Sequence, residues 1–367
     1  MKWDYSHNLL QVSASLHRWY GLPSEYQGNR IIDQWLNQNQ FRTVIALLID
    51  GMGTEILRPN LKENSFFRSF LSDSASTVYP PTTTAATTSF LTGKSPRENG
   101  WLGWNQYFRE EDDQIILFRH HSEYGTAEYP DDFADRHLPI LRIYDELNAH
   151  GIKADSVWPS WASHNPSRDY EDLLNHLLRE AEDPEMRFVY GYWDELDSFM
   201  HEHGPSDPGT AQMLKDLDEK TRAFAEKLPD GIGLLILADH GQIDVHSYDM
   251  KNDGELCSFF RKAPALEART VAFYLKEEKK AEFPEFFHHR FGDQFILKAS
   301  GDPEAQAMFG PGKPSGRFEE FLGDFVAFAV TPLQLCYGKG TDLRGNHAGM
   351  MEAEALIPVI LYPEVSE

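Results

Sequence analysis

Cysteine is scarce: Cys257 and Cys336 stand alone in 367 residues, and their separation excludes the paired spacing of a zinc finger or ribbon. So low a thiol content fits a reducing compartment, and a cytoplasmic protein is expected, with a single disulfide between the two left open by the sequence. Long apolar runs are missing as well. No segment approaches the roughly 20 residues needed to span a bilayer, and the start, Met1-Lys2-Trp3-Asp4-Tyr5-Ser6-His7-Asn8, has no signal-type apolar stretch. Basic charge is in deficit, 34 Lys and Arg against 58 Asp and Glu for a net charge of -24. That balance opposes non-specific contact with nucleic acid or an anionic membrane, but bound divalent cations would reverse the field locally and admit a phosphate. Internal repeats and low-complexity tracts are absent, and 41% hydrophobic with 25% charged residues excludes a disordered chain.

What the chain has instead is a set of short apolar runs that end in polar residues beside glycine. Residues 44–49 and 231–238 read as buried parallel strands; the first runs into Asp50-Gly51 and the second into Asp239-His240-Gly241. A third strand over 187–193 leads to Asp197 and His201, whose spacing of four places them on one face of a helical turn. The stretch 79–93 sets a block of threonines after Pro80-Pro81 and closes on Gly93. It predicts a short helix whose N-terminal N–H groups favour an anion such as phosphate. Helices over 31–40, 137–150, 169–182 and 207–228 and strands over 152–157 and 356–361 continue the α/β alternation. From about residue 259 the pattern changes, with strands over 270–275 and 324–330 and a helix over 279–291. The expected organisation is a catalytic core of residues 1–258 and 336–367, with a smaller inserted α+β subdomain over 259–335 as a cap.

Six side chains of ligand type recur at the ends of these elements: Asp50, Asp197, His201, Asp239, His240 and His347. They divide into two trios, Asp50, Asp239 and His240 beside the Thr83 hydroxyl, and Asp197, His201 and His347. Carboxylate and neutral imidazole are the ligands of zinc, and two divalent ions about 4 Å apart form a clamp for in-line displacement at phosphorus. Trp101, Trp104 and Tyr107 offer an aromatic wall suited to the second ester group of a diester. Lys94 could steer an anion, although a lone lysine is more often a solvated surface residue.

Five motifs, namely Asp50-Gly51, Tyr79-Pro80-Pro81-Thr82-Thr83 with Leu91-Thr92-Gly93, Asp197 and His201 with Gly204-Pro205, Asp239-His240-Gly241, and Gly345-Asn346-His347, occur in one order. In that order the chain resembles the type I phosphodiesterase/nucleotide pyrophosphatase family of the alkaline phosphatase superfamily. The resemblance implies a three-layer αβα sandwich with a central, mostly parallel sheet, two divalent metal ions and a covalent phospho-threonine intermediate. The ions would be zinc, with manganese compatible with the same ligand types. It selects Thr83 as nucleophile and metal ligand over Thr82 and Thr84, Asp197 over Asp194, and His201 over His203. It further implies a small phosphate-ester substrate, with nucleotides among the candidates; the acidic balance and the lack of a long apolar run argue against a nucleic-acid or membrane partner. Two departures bear on the substrate. Asn99-Gly100 replaces a His-Gly pair, and the family's phosphate-binding asparagine has no residue at matching spacing, Asn105 lying one position further on. A phosphomonoesterase or phosphonate hydrolase using the same site is the alternative, and a non-catalytic metal- or anion-binding protein the reading of a different class. A sulfatase Cys/Ser-x-Pro-x-Arg setting is absent, and the serine of cofactor-independent phosphomutases is a threonine here.

Overall fold

The computed structural model describes residues 3–162 and 164–364. Thr43–Ile49 is buried along its whole length and apolar from Val44 on, which requires cover on both faces. It lies inside a seven-stranded sheet with the spatial order Leu71–Ser76, Leu356–Tyr362, Ile232–Leu237, Thr43–Ile49, Phe188–Trp193, Ala154–Pro159 and Pro166–Ser167. Its two neighbours run parallel to it, in register from Thr43↔Ile232 to Leu48↔Leu237 on one side and from Val44↔Phe188 to Ile49↔Trp193 on the other. Leu356–Tyr362 runs against the rest. Helices supply the outer layers: Tyr170–Glu182 turns Leu173, Leu174 and Leu177 into the core, and Leu9–Trp19, unforeseen from the sequence, buries Leu9, Leu10, Val12 and Leu16 behind an Asn8/Gln11 capping box. This is the expected αβα sandwich with a mostly parallel sheet.

A second, antiparallel seven-stranded sheet has the order Phe295–Ala299, Phe325–Ala329, Thr270–Leu275, Phe260–Leu266, Asn105–Phe108, Asp113–Ile116 and His121–Ser122. Its last three strands come from residues 105–122, which the sequence groups with the core. They join the 260–329 segment through Leu266↔Asn105, a pairing between distant parts of the chain that no local pattern announces.

Two helices differ from expectation, each at a proline. The helix expected over 137–150 forms only as Ile143–Ala149, and a separate short helix, Phe133–His137, ends where it was to begin. Pro139 drives Leu138 out of the helical region, to φ -134 and ψ 67, as the residue before proline must go. The helix over 279–291 begins only at Phe283, with Pro284 in its first turn, where a missing N–H costs nothing. Cys257 and Cys336 are both free thiols. No helix among the described residues is long and apolar enough to cross a membrane.

The two sheets are locked by a fully buried ion pair. Arg269, in the turn between Phe260–Leu266 and Thr270–Leu275, donates from Nε and Nη2 to the two oxygens of Glu354 at 2.8 Å each, with both side chains at 0% exposure. Glu354 also accepts from Gly349 N at 2.7 Å and Met351 N at 3.1 Å. A buried charge without its partner costs about 3–5 kcal/mol. Arg269→Ala is therefore expected to lower the unfolding free energy by that amount in urea titration, and Arg269→Met combined with Glu354→Met by less than half as much.

Candidate active site

Three adjacent parallel strands end side by side and deliver the ligand-type residues. Thr43–Ile49 leads to Asp50, Ile232–Leu237 to Asp239 and His240, and Phe188–Trp193 to the Glu195–His203 helix that carries Asp197 and His201. The carboxyl ends of such strands are where open α/β sheets place their sites. Gly51, at φ +70, turns the chain away from Asp50. A Cβ there would stand 2.9 Å from Met200 Cε and 3.0 Å from Asp197 Oδ1, so glycine is required. Thr83 opens the Thr83–Thr92 helix, which Gly93 ends in the left-handed region. His347 follows the short strand Gly345–Asn346, paired to Ile243–Asp244.

All seven predicted residues converge. Thr83 Oγ1 lies 3.1 Å from Asp50 Oδ2 and 3.2 Å from His240 Nε2. His240 Nε2 lies 3.3 Å from Asp50 Oδ1 and 3.6 Å from Asp239 Oδ2. Asp197 Oδ2 and His201 Nε2 are 3.1 Å apart, and the His240 and His347 rings stack at 3.8 Å. Asp197, His201 and His347 form one group able to hold a cation. The other tight group is Asp50, Asp197 and His240, so Asp197 stands between the trios while Asp239 flanks His240.

The histidines are set up as ligands by their far nitrogens. Nδ1 of His201 faces Gly345 O at 2.9 Å, Nδ1 of His240 faces Gly241 O at 3.1 Å, and Nδ1 of His347 faces Pro81 O at 3.0 Å. A carbonyl oxygen can only accept, so each Nδ1 carries the proton and donates. Each Nε2 is then left with its lone pair free when the ring is neutral, as a metal ligand needs. Asp239 Oδ2 is buried with no hydrogen-bond partner, which a cation would satisfy. The donor set therefore fits a pair of divalent ions.

Charge crowding points the same way. Burial, then the carboxylates of Asp239 and Asp197, push Asp50 well above the ordinary range, and burial raises Asp239 too. Burial alone would do the same to Asp197, but the neighbouring His201, with His347 and His240 behind it, brings it below the usual range. His201 in turn rises to about 9, because Asp197 outweighs the burial that would lower it. Burial, and then His240, hold His347 well below its ordinary value.

A cleft of about 1370 Å³ opens over the cluster, lined by both sheets. Trp101, Trp104 and Asn105 all border it. Trp104 is half-buried beneath the Arg119 guanidinium, whereas Trp101 is almost wholly buried, its indole N–H donating to Leu138 O at 3.2 Å. Asn105 is buried with Oδ1 unpartnered. Tyr107 does not reach the cleft and packs on Tyr274 instead, and Lys94 is exposed outside it.

Three polar residues at the site were not foreseen. The Tyr192 hydroxyl donates to Asp50 Oδ2, Gln242 Nε2 donates to Asp197 O at 3.1 Å, and Glu267 reaches in from the second sheet. Gln242 lies two residues after His240 and Tyr192 lies in the strand read over 187–193, a usable signal; Glu267 has none.

Fold and site together define an alkaline phosphatase-like α/β protein with an acidic and imidazole cluster facing a helix-borne threonine. The chain belongs to the type I phosphodiesterase/nucleotide pyrophosphatase family, whose model matches residues 44–293. Over an alignment 124 residues long, the chain is 24% identical to bis(5'-adenosyl)-triphosphatase ENPP4 of Pongo abelii and 23% identical to that of Homo sapiens. The matched segment makes up 28% of this chain and spans about a quarter of the length of those relatives (27%). Among solved structures, murine ectonucleotide pyrophosphatase/phosphodiesterase 5, in an inactive threonine-to-alanine variant complexed with AMP, superposes with a TM-score of 0.68 at 14% identity over 87% of each chain. The human protein of the same name gives 0.65 at 15%, again over 87% of each. These likenesses establish the fold.

The raised His201 sets a pH dependence. Its folded value of about 9 lies above the ordinary 6.5, so its contribution to stability is complete below pH 6.5 and is lost as the pH climbs through 9. In metal-free protein, the difference in unfolding free energy between wild type and His201→Gln is expected to shrink steadily from pH 6.5 to 9. A difference that stays flat across that window would contradict the Asp197–His201 ion pair.

Proposed function

We infer that the protein is a dimetal-dependent hydrolase of phosphodiesters or nucleotide pyrophosphate bonds, with Thr83 as the nucleophile. The observation that carries this reading is the Thr83 hydroxyl at the start of its helix, within hydrogen-bond reach of both Asp50 and His240. Asp197, His201 and His347 would hold one ion, and Asp50, Asp239, His240 and Thr83 the other; zinc suits this ligand set, and manganese is compatible with it. Bound there, the ions supply positive charge for the attacking and leaving oxygens.

The protein's own groups do the rest. Thr83 Oγ1, which lies 3.1 Å from Asp50 Oδ2, attacks phosphorus as the bond to the leaving alcohol or nucleotide oxygen breaks, and the hydroxyl proton ends on that departing oxygen. Free amides at the start of the Thr83–Thr92 helix receive a phosphate oxygen. Water then cleaves the phospho-threonine and restores the hydroxyl. Asn105, with its unpartnered amide oxygen, and the Trp101 and Trp104 rings are proposed to contact the substrate beyond the phosphorus. A nucleotide substrate draws support from the diadenosyl triphosphatase named among the relatives and from the AMP bound to the murine neighbour. A cytoplasmic setting is a further proposal that rests on the sparse cysteines.

The test is hydrolysis of a chromogenic aryl phosphodiester against the matching monoester, after reconstitution with zinc or manganese. A diester preference is expected, with kcat/KM reduced at least about 1000-fold in Thr83→Ala and turnover lost to a chelator and recovered on adding metal back. A monoester preference would move the protein to the phosphatases.

A further inference from the structure

We propose that Glu267 is a positioning residue that keeps the first amides of the Thr83–Thr92 helix open to the substrate, by holding the Thr82 hydroxyl away from them. The proposal rests on the reading of Thr83 as nucleophile. Thr82 occupies the N-cap of that helix with an extended backbone, φ -144 and ψ 147, yet its side chain makes no cap hydrogen bond. A threonine there ordinarily accepts from the second or third amide of the helix. Asn8, Asn29, Asp169 and Asp207 each make such a bond at the start of their own helices.

The Thr82 hydroxyl is engaged elsewhere. Oγ1 donates to Glu267 Oε1 at 2.6 Å, and Trp104 N donates to the same oxygen at 2.7 Å. Glu267 lies in the turn between Phe260–Leu266 and Thr270–Leu275, where its own N–H donates to Thr270 O at 3.0 Å. The carboxylate is therefore fixed to the second sheet and reaches the residue just before the nucleophile. A hydroxyl bonded to a carboxylate is held more strongly than one accepting from a neutral amide, so Thr82 stays turned away. Were it released, its oxygen would fill the anion-binding end of the helix and compete with the phosphate for the same N–H groups.

A mutant cycle separates this hold from the charge of Glu267. Glu267→Gln retains an oxygen that accepts from Thr82 and Trp104, and is expected to stay within about 3-fold of wild-type kcat/KM on the aryl phosphodiester. Glu267→Ala frees Thr82 and is expected to lose at least about 10-fold, less than the roughly 100- to 1000-fold of an oxyanion donor removed outright, because the amides are competed for rather than lost. Adding Thr82→Val, which cannot cap, should restore most of that loss. The second readout needs neither metal nor turnover. Hydrogen exchange at the Thr84 and Ala85 amides of metal-free protein should slow about 10-fold in Glu267→Ala as the cap forms, and recover in the double variant. Equal impairment of Glu267→Ala and the double variant, equal impairment of Glu267→Gln and Glu267→Ala, or exchange that Thr82→Val leaves unmoved would each overturn the proposal. A wild type that binds metal but turns over no diester would instead sink the parent reading, leaving the exchange result to judge the Glu267–Thr82 hold.

Discussion

Three carboxylates, Asp50, Asp197 and Asp239, are buried together at the ends of adjacent strands, and like charges in a medium of low polarisability cannot all ionise without compensation. The rest of the site answers that constraint. His201 neutralises Asp197 directly, the Tyr192 hydroxyl and the Gly51 amide donate to Asp50 and Asp239, and three histidines turn their Nε2 atoms into the same space. What these contacts leave uncompensated, with Asp239 Oδ2 unpartnered, is negative charge that a bound cation would offset, and a cation there would in turn admit a phosphate.

The parallel half of the molecule was readable because its signals are local. A continuous apolar run such as Val44 to Ile49 fits a strand covered on both faces, and a carboxylate followed by glycine at its end marks a turn at the rim of the sheet. Asp50, Asp239 and His240 were picked out from such endings, and the structure brings them together with Thr83, Asp197, His201 and His347, which the family resemblance had selected. The second sheet was legible only in part, because the partner of Asn105 is Leu266, far away in the chain. Pairing at that distance depends on the whole topology, and a short aromatic stretch with glycines is consistent with loop and strand alike. The helix errors came from reading periodicity through Pro139, which the helix cannot cross, and from missing Pro284 as the mark of a helix start. Glu267 was invisible for the same reason as the strand pairing: its importance lies in what the fold brings to it.

His347 shows how the two halves depend on each other. Its ring belongs to the metal-type cluster, but the backbone after it is held by the second sheet. Thr270 Oγ1 donates to Ala348 O at 2.6 Å, Ala348 N to Pro81 O at 2.9 Å, and Glu354, paired with Arg269, receives Gly349 N. Ala348 itself is at φ +77, a conformation that costs a non-glycine residue about 1 kcal/mol or more and persists only where its surroundings impose it.

The interleaving of the second sheet also governs the order in which the molecule can be made. Strands from residues 105–122 emerge from the ribosome long before Phe260–Leu266, the strand that pairs with them, so the nascent chain carries an unpaired edge for more than a hundred residues of synthesis. Exposed edges of that kind are templates for aggregation, and non-local pairing is slow to form. The last cluster residue, His347, arrives later still. The seven cluster residues can therefore come together only once the chain has been made through residue 347.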